Sequence, residues 1–190
     1  MKAITLKGKS TSDISSQLNQ IISEGYRPTL GIVFLSIVQD AEAITALMNS
    51  QNIQVFGATT SGEFIDGDIE NGSITIMLLD INPDYFKLSF SETGIVSSYD
   101  NAKRLGKLGK ETFDDCAFII VSGWLSQDGE AIIEGITKGY GKDVTIFGGM
   151  AGDDLKLEGP QVFTNQKNSC DCEYTHPKHF LIFSFEKVFI

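Results

Sequence analysis

Only two histidines, His176 and His179, occur in the 190 residues, and they stand together near the carboxyl end. Acyl transfer by a serine or cysteine nucleophile needs a poised base beside it, so a chain this poor in histidine is disfavoured as such an enzyme. No catalytic residues are expected. Cysteine is scarce too: three residues are an odd number and too few for a disulfide framework at this length, which points to a reducing compartment. Cys116 falls in the apolar run Cys116 to Val121 and reads as a small buried hydrophobe. No apolar run approaches the ~18 residues that span a bilayer, and Met1 to Lys7 lacks the apolar core of a signal peptide, so a cytoplasmic location is expected. Bases are outnumbered, 15 to 25, and the net charge of −10 works against nucleic-acid phosphates and anionic membrane alike. Neither is expected as a partner.

What the chain does have is apolar material in short, punctuated runs. Hydrophobic residues make up 42% and aromatics 10%, enough to bury a sizeable core. The run Leu30 to Ser36 after Pro28 has the character of a strand covered on both faces. Asp40 can cap a helix whose apolar positions Ala43, Ile44, Leu47 and Met48 share a face. A strand from Ile53 to Gly57 follows, and opens into the small polar residues Ala58 to Glu63.

The second half repeats this order: a strand over Ala117 to Ser122, a helix over Gln127 to Tyr140, a strand over Val144 to Gly148, then Gly149 to Asp154. Asp40-Ala41-Glu42-Ala43-Ile44 matches Asp128-Gly129-Glu130-Ala131-Ile132, and Val55-Phe56-Gly57 matches Ile146-Phe147-Gly148 at nearly the same offset. Two matches in order suggest an internal duplication, of about 30–92 and 117–187, within one domain over 1–190. Between the halves, strands over Ser73 to Leu79 and Tyr85 to Phe90 flank Asn82-Pro83-Asp84, which suits the turn of a hairpin. Asn101 to Glu111 suits a helix with Ala102, Leu105 and Leu108 inward, and the tail strand His179 to Phe185 takes the place of Ser73 to Leu79. The fold class expected is α/β, a mixed sheet flanked by helices and built from two similar strand–helix–strand–loop halves.

Ligands of open α/β sheets sit beyond the carboxyl ends of the strands, where the Thr59 to Glu63 and Gly148 to Asp154 stretches should emerge and meet. Gly148, Gly149 and Gly152 would let backbone amides approach a ligand, while Thr59, Thr60 and Ser61 offer hydroxyls beside Gly62 and Glu63. Asp153 and Asp154 could accept from an amine. Ordinary tight turns would look the same. Trp124, the sole tryptophan, follows Ser122-Gly123 and is either a wall of that pocket or a core plug.

Other chemistries fit less well. Gly106-Lys107-Leu108-Gly109-Lys110-Glu111 lacks the spacing and hydroxyl of a phosphate loop, Gly148 to Gly152 is no dinucleotide fingerprint, and the glycine of Asp66 to Gly72 stands one place late for calcium. Cys170, Cys172, His176 and His179 carry donors suited to zinc, but one residue between cysteines is tighter than structural zinc sites use, and a polar hairpin before the last strand accounts for the cluster equally. No metal or cofactor is expected, with that cluster as the alternative.

The runs Val55 to Glu63 and Phe147 to Asp154 resemble the N-terminal domain of the FIST family, whose name abbreviates F-box and intracellular signal transduction. The resemblance extends over nearly the whole chain. It implies a non-catalytic sensory input domain that binds a small molecule such as an amino acid, with one branch of the family that looks haem-binding. The positions it carries over are Thr59, Thr60, Ser61, Gly62 and Glu63, and Gly148, Gly149, Gly152 and Asp153. It also implies a second FIST region or a signalling output protein as partner.

Overall fold

A computed structural model describes residues 2–65, 67–93, 96–123, 128–156, 159–166 and 178–186, with only the backbone described at 92, 93 and 178–181. The chain divides into two compact units, Met1–Asn82 with Ala151–Asn168, and Pro83–Met150 with Ser169–Ile190.

The first unit is a five-stranded mixed sheet in the order β1 (Lys2–Gly8), β6 (Ile74–Asp80), β2 (Leu30–Ser36), β3 (Gln54–Thr60), β10 (Val162–Phe163). β2 and β3 run parallel because the helix α2 (Ala41–Ser50) carries the chain back between them; the other neighbours are antiparallel. Asp40 caps α2 by accepting from the Ala43 N–H at 2.9 Å, and Ser10 caps α1 (Thr11–Ser23) by accepting from Asp13 N–H at 3.1 Å. Ile14 and Leu18 of α1 and Ile44 and Met48 of α2 bury themselves against Val33, Leu35, Val55, Ile76 and Leu78. One face of the sheet is thereby closed by helices. Tyr26 closes its end: the hydroxyl lies 2.7 Å from the Lys2 carbonyl and accepts from Asp80 N–H at 3.1 Å, and burial pushes its phenol pKa up.

The expected hairpin between β6 and the next strand, β7 (Phe86–Thr93), does not form. β6 has β1 on one side and β2 on the other, so neither edge is left for β7, and a 3-10 turn at Pro83–Tyr85 leads the chain into a different sheet. The stretch after β3 also differs from an open loop. β3 runs on through Thr60, and after two intervening residues a short hairpin of β4 (Glu63–Ile65) and β5 (Asp68–Glu70) begins. Lys7 of β1 ties this hairpin down through Asp68 at 2.6 Å and Glu70 at 3.3 Å, and Lys9 adds a second ion pair to Glu70. The Lys9 and Lys7 ammonium groups hold the Glu70 carboxyl below the usual carboxylate range, and the Asp68 partner raises the Lys7 pKa.

The last strand of the unit comes from far along the chain. Phe163 is fully buried over Gly57, so closely that a Cβ on Gly57 would stand 2.1 Å from the ring. Asn165 fastens the same return, accepting from Val55 N–H at 2.6 Å and donating to the Ile53 carbonyl at 2.8 Å.

The second unit is a four-stranded sheet in the order β7, β11 (Lys178–Glu186), β8 (Cys116–Ser122), β9 (Thr145–Met150). Its β8 and β9 are parallel, joined by α4 (Gly129–Tyr140), while β11 is antiparallel to both its neighbours. Asp128 caps α4 through Ala131 N–H at 3.0 Å, as Asp40 caps α2. α4 packs on α3 (Ser98–Thr112) almost backbone to backbone: a Cβ on Gly135 would meet the Tyr99 carbonyl at 2.5 Å, and one on Gly139 the Lys103 carbonyl at 2.0 Å. Ala102, Leu105, Phe118, Ile120, Ile132, Ile136 and Tyr140 form the core beneath, with Leu108 partly buried against it. Cys116 is fully buried there. The fold is therefore α/β, with mixed sheets flanked by helices, and no helix among the described residues is long and apolar enough to cross a membrane.

Two outcomes follow from these contacts. Phe163→Ala empties a buried aromatic site and should lower unfolding free energy by about 3–5 kcal/mol, measured by chemical denaturation. The docking of the β4–β5 hairpin should fail on acidification: a carboxylate held below its ordinary pKa stabilises the docked form above that ordinary value, and this is lost as pH falls through the lowered one. The Ile69 methyl resonance, followed by NMR, should therefore titrate below the ordinary glutamate range; titration at the ordinary value would show the ion pairs to be ineffective.

Candidate functional site

The parallel strands β2 and β3 end side by side at Ser36 and Thr60, which are paired in register. The backbone around their ends is fully engaged. Thr59 accepts at its carbonyl from Gly152 N–H at 2.9 Å, its own N–H donates to the Gln161 carbonyl at 2.9 Å, and its hydroxyl accepts from Gln161 N–H at 2.8 Å. Gly152 and Gln161 are thus both held against Thr59 at the end of β3. A side chain on Gly152 would stand 2.5 Å from the Ser61 hydroxyl, so glycine permits the close pass.

Glu63 is buried, and three donors hold its carboxylate: the Thr60 hydroxyl at 2.7 Å, Ser73 N–H at 2.9 Å and the Ser73 hydroxyl at 3.2 Å. A buried carboxylate stays acceptable when its oxygens are hydrogen-bonded in this way. Asp153 is also buried and accepts from Gly159 N–H at 3.3 Å, fixing the turn that follows it.

Asp154 faces differently. Its N–H donates to the Ser61 hydroxyl at 3.0 Å, and its carboxylate accepts from the Ser36 hydroxyl at 2.5 Å. Asp154 and Leu155 both have left-handed backbones, with φ of 54° and 59°. Two successive non-glycine residues in that region cost free energy that the surrounding structure must offset. The result is a cleft of about 440 Å³ at the carboxyl ends of β2 and β3, lined by Ser36, Val38, Ser61, Asn71, Gly72, Asp154 and Leu155. Its polar groups are hydroxyls, an amide and a carboxylate with acceptor capacity left for an ammonium or amide N–H.

Of the residues singled out in the sequence, Thr59, Thr60, Ser61, Gly62 and Glu63 thus come together with Gly152 and Asp153 in the first unit. Gly148 and Gly149 lie in strand β9 of the second unit, where they line a smaller cavity of about 240 Å³ with Ile120, Ser122, Gly129 and Ile132. The Ser122 hydroxyl there is buried, with no hydrogen-bond partner among the described residues. Trp124, Cys170, Cys172 and His176 lie outside the described residues; His179 is described only as backbone, opposite Glu92 in the ladder of β11 and β7. Among the described residues no group of three or more His, Cys, Asp or Glu side chains is placed to hold a metal ion.

Sequence reasoning left out Ser36, Val38, Asn71 and Leu155. Ser36 carried a signal, since it ends the apolar run of β2 as Thr60 ends β3. The exposed Leu155 and the turn at Asn71 carried none, because their places depend on backbone angles and on the β4–β5 hairpin.

No curated protein matches the chain. The FIST N domain model matches residues 29–173, from just before β2 to beyond β10, leaving β1, α1 and β11 outside. That match covers well over half of the chain and includes both parallel strand–helix–strand units and the cleft, so the chain belongs to the FIST N domain family.

Proposed function

We propose that this protein is a non-catalytic sensory domain of intracellular signal transduction that binds a small metabolite bearing an amino group, such as an amino acid, in the cleft at Asp154. The observation that carries this reading is the strained pair Asp154-Leu155, held by the Asp154 N–H on the Ser61 hydroxyl, which turns a carboxylate toward Ser36 at the carboxyl ends of two parallel strands. Backbone strain held by surrounding hydrogen bonds is characteristic of binding sites. An ammonium would donate to the Asp154 carboxylate beside the Ser36 hydroxyl, and Asn71 adds both a donor and an acceptor for the rest of the ligand.

The family positions of the first unit support the cleft from behind. Thr59, Glu63, Gly152 and Asp153 spend their polar atoms on the loop itself, so they shape the site that Ser61 and Asp154 line. We read the two strand–helix–strand units, capped alike by Asp40 and Asp128, as copies of one duplicated element within a single sensory domain. Readout would pass to a second FIST region or to a signalling output protein.

A thermal-shift screen of amino acids and amines tests this. A true ligand at about 100 times its dissociation constant should stabilise the protein by about 2.7 kcal/mol. Asp154→Asn should weaken that ligand at least about tenfold, since a hydrogen bond to a charged group contributes roughly 1.5–3 kcal/mol. Gly149→Ala should leave both stability and binding within about 0.5 kcal/mol, because a Cβ there meets nothing within 4 Å. A ligand that binds equally well to the Asp154→Asn protein would overturn the assignment.

A further inference from the structure

The face of the first sheet turned away from α1 and α2 carries another cavity, of about 450 Å³, distinct in character from the polar cleft. In β2 and β6, residues alternate between the two faces, and those on this side include Ile32, Phe34, Thr75 and Met77. Ile32 stands directly opposite Met77, and Phe34 opposite Thr75, so the floor is a continuous patch across two paired strands. Phe64 and Ile65 of the β4–β5 hairpin form the wall. The volume falls within the range of small-molecule pockets, roughly 300–1,000 Å³.

Two features of the hairpin concern this cavity. Phe64 and Ile69 face each other across the β4–β5 ladder and are 73% and 76% exposed, an apolar pair that the folded chain leaves in water. The hairpin is also bracketed by Gly62 and Gly72, with φ of 108° and 76°, backbone states that glycine enters freely and that suit a pivot. Glu63 fixes the root through Ser73, and the Lys7 and Lys9 ion pairs to Asp68 and Glu70 hold the far strand. The Lys9–Glu70 pair lies at the surface, where salt screens it.

The chemistry of an occupant follows from what is already engaged. Lys7 is committed to Asp68 and Glu70, and the Glu63 carboxylate accepts from three donors, so neither is open to neutralise a charged ligand. A charge brought against Ile32, Phe34 and Met77 would be desolvated without compensation. Thr5, Thr60 and Thr75 border the same space and retain hydroxyl acceptor capacity.

We propose that the cavity under the β4–β5 hairpin is a second binding site, for a neutral, mainly apolar small molecule carrying a hydrogen-bond donor, over which the hairpin closes as a flap through Phe64. This site is independent of the amine cleft and stands or falls separately from it.

Indole, neutral and bicyclic with one N–H donor, is a suitable probe, titrated into the full chain and followed by NMR at the methyl groups of Ile32, Ile65 and Met77. Saturable shifts confined to these residues and Ile69 are expected. Met77→Trp, at a position already 43% exposed, should fill the cavity and weaken indole at least about tenfold, the equivalent of 1.4 kcal/mol. Phe64→Ala, an exposed flap residue whose loss leaves the core untouched, should weaken it severalfold and speed its release. Asp154→Asn should change nothing here. Shifts that do not saturate, that spread over the surface, or that survive both Met77→Trp and Phe64→Ala would overturn the site; loss with Met77→Trp but not with Phe64→Ala would overturn the flap.

Discussion

The return of Ala151–Asn168 to the first sheet is the constraint on which the rest of that unit depends. Phe163 fills the space over Gly57, Asn165 bonds to the backbone on either side of Gln54, and Gln161 pairs with Thr59. Only when those contacts are made can Asp154 lie against Ser61 and Ser36. The candidate cleft is therefore a by-product of sheet completion: the same backbone hydrogen bonds that give β3 its outer neighbour also carry the carboxylate to the strand ends. Polar side chains behind the cleft serve this end too, and their burial is tolerable because each oxygen of Glu63 has a donor.

Much of the architecture was legible because it rests on local chemistry. The runs Leu30–Ser36 and Ala117–Ser122 read as strands from their continuous apolar character, and Asp40 announced its helix by the side-chain acceptor it offers to an N–H three residues on. What failed depended on neighbours remote in sequence. A hairpin at Asn82-Pro83-Asp84 was chemically reasonable, but β1, an amphipathic strand with Ile4 and Leu6 turned inward, had already taken the edge of β6. Gly149 and Met150 looked like loop residues; pairing with Val121 and Ser122 of β8 makes them strand.

The site divides along the same line. Glycines and hydroxyls at Thr59 to Glu63 and Gly152 to Asp154 were recognisable as a cluster, and both the family match and the hydrogen bonds bring these stretches together. Which aspartate would face the cleft was not recognisable. Asp153 and Asp154 are chemically identical, and a left-handed backbone at Asp154 alone separates their roles. Torsional states of that kind are selected by the packing around them and leave no mark in composition or spacing.

The distance in sequence between β3 and its partner has a kinetic meaning. Val55 and Asn165 are 110 residues apart, and contacts of such separation form late because chain entropy must be lost before they contribute. During synthesis at about 5–20 residues per second, the strand β3 emerges roughly five to twenty seconds before the residues that cover it. Over that interval β3 offers an uncovered edge with Val55, Phe56 and Ala58 still exposed to other chains. The nascent protein is thus most vulnerable to mispairing in its first half, and it leaves that state only when Phe163 arrives.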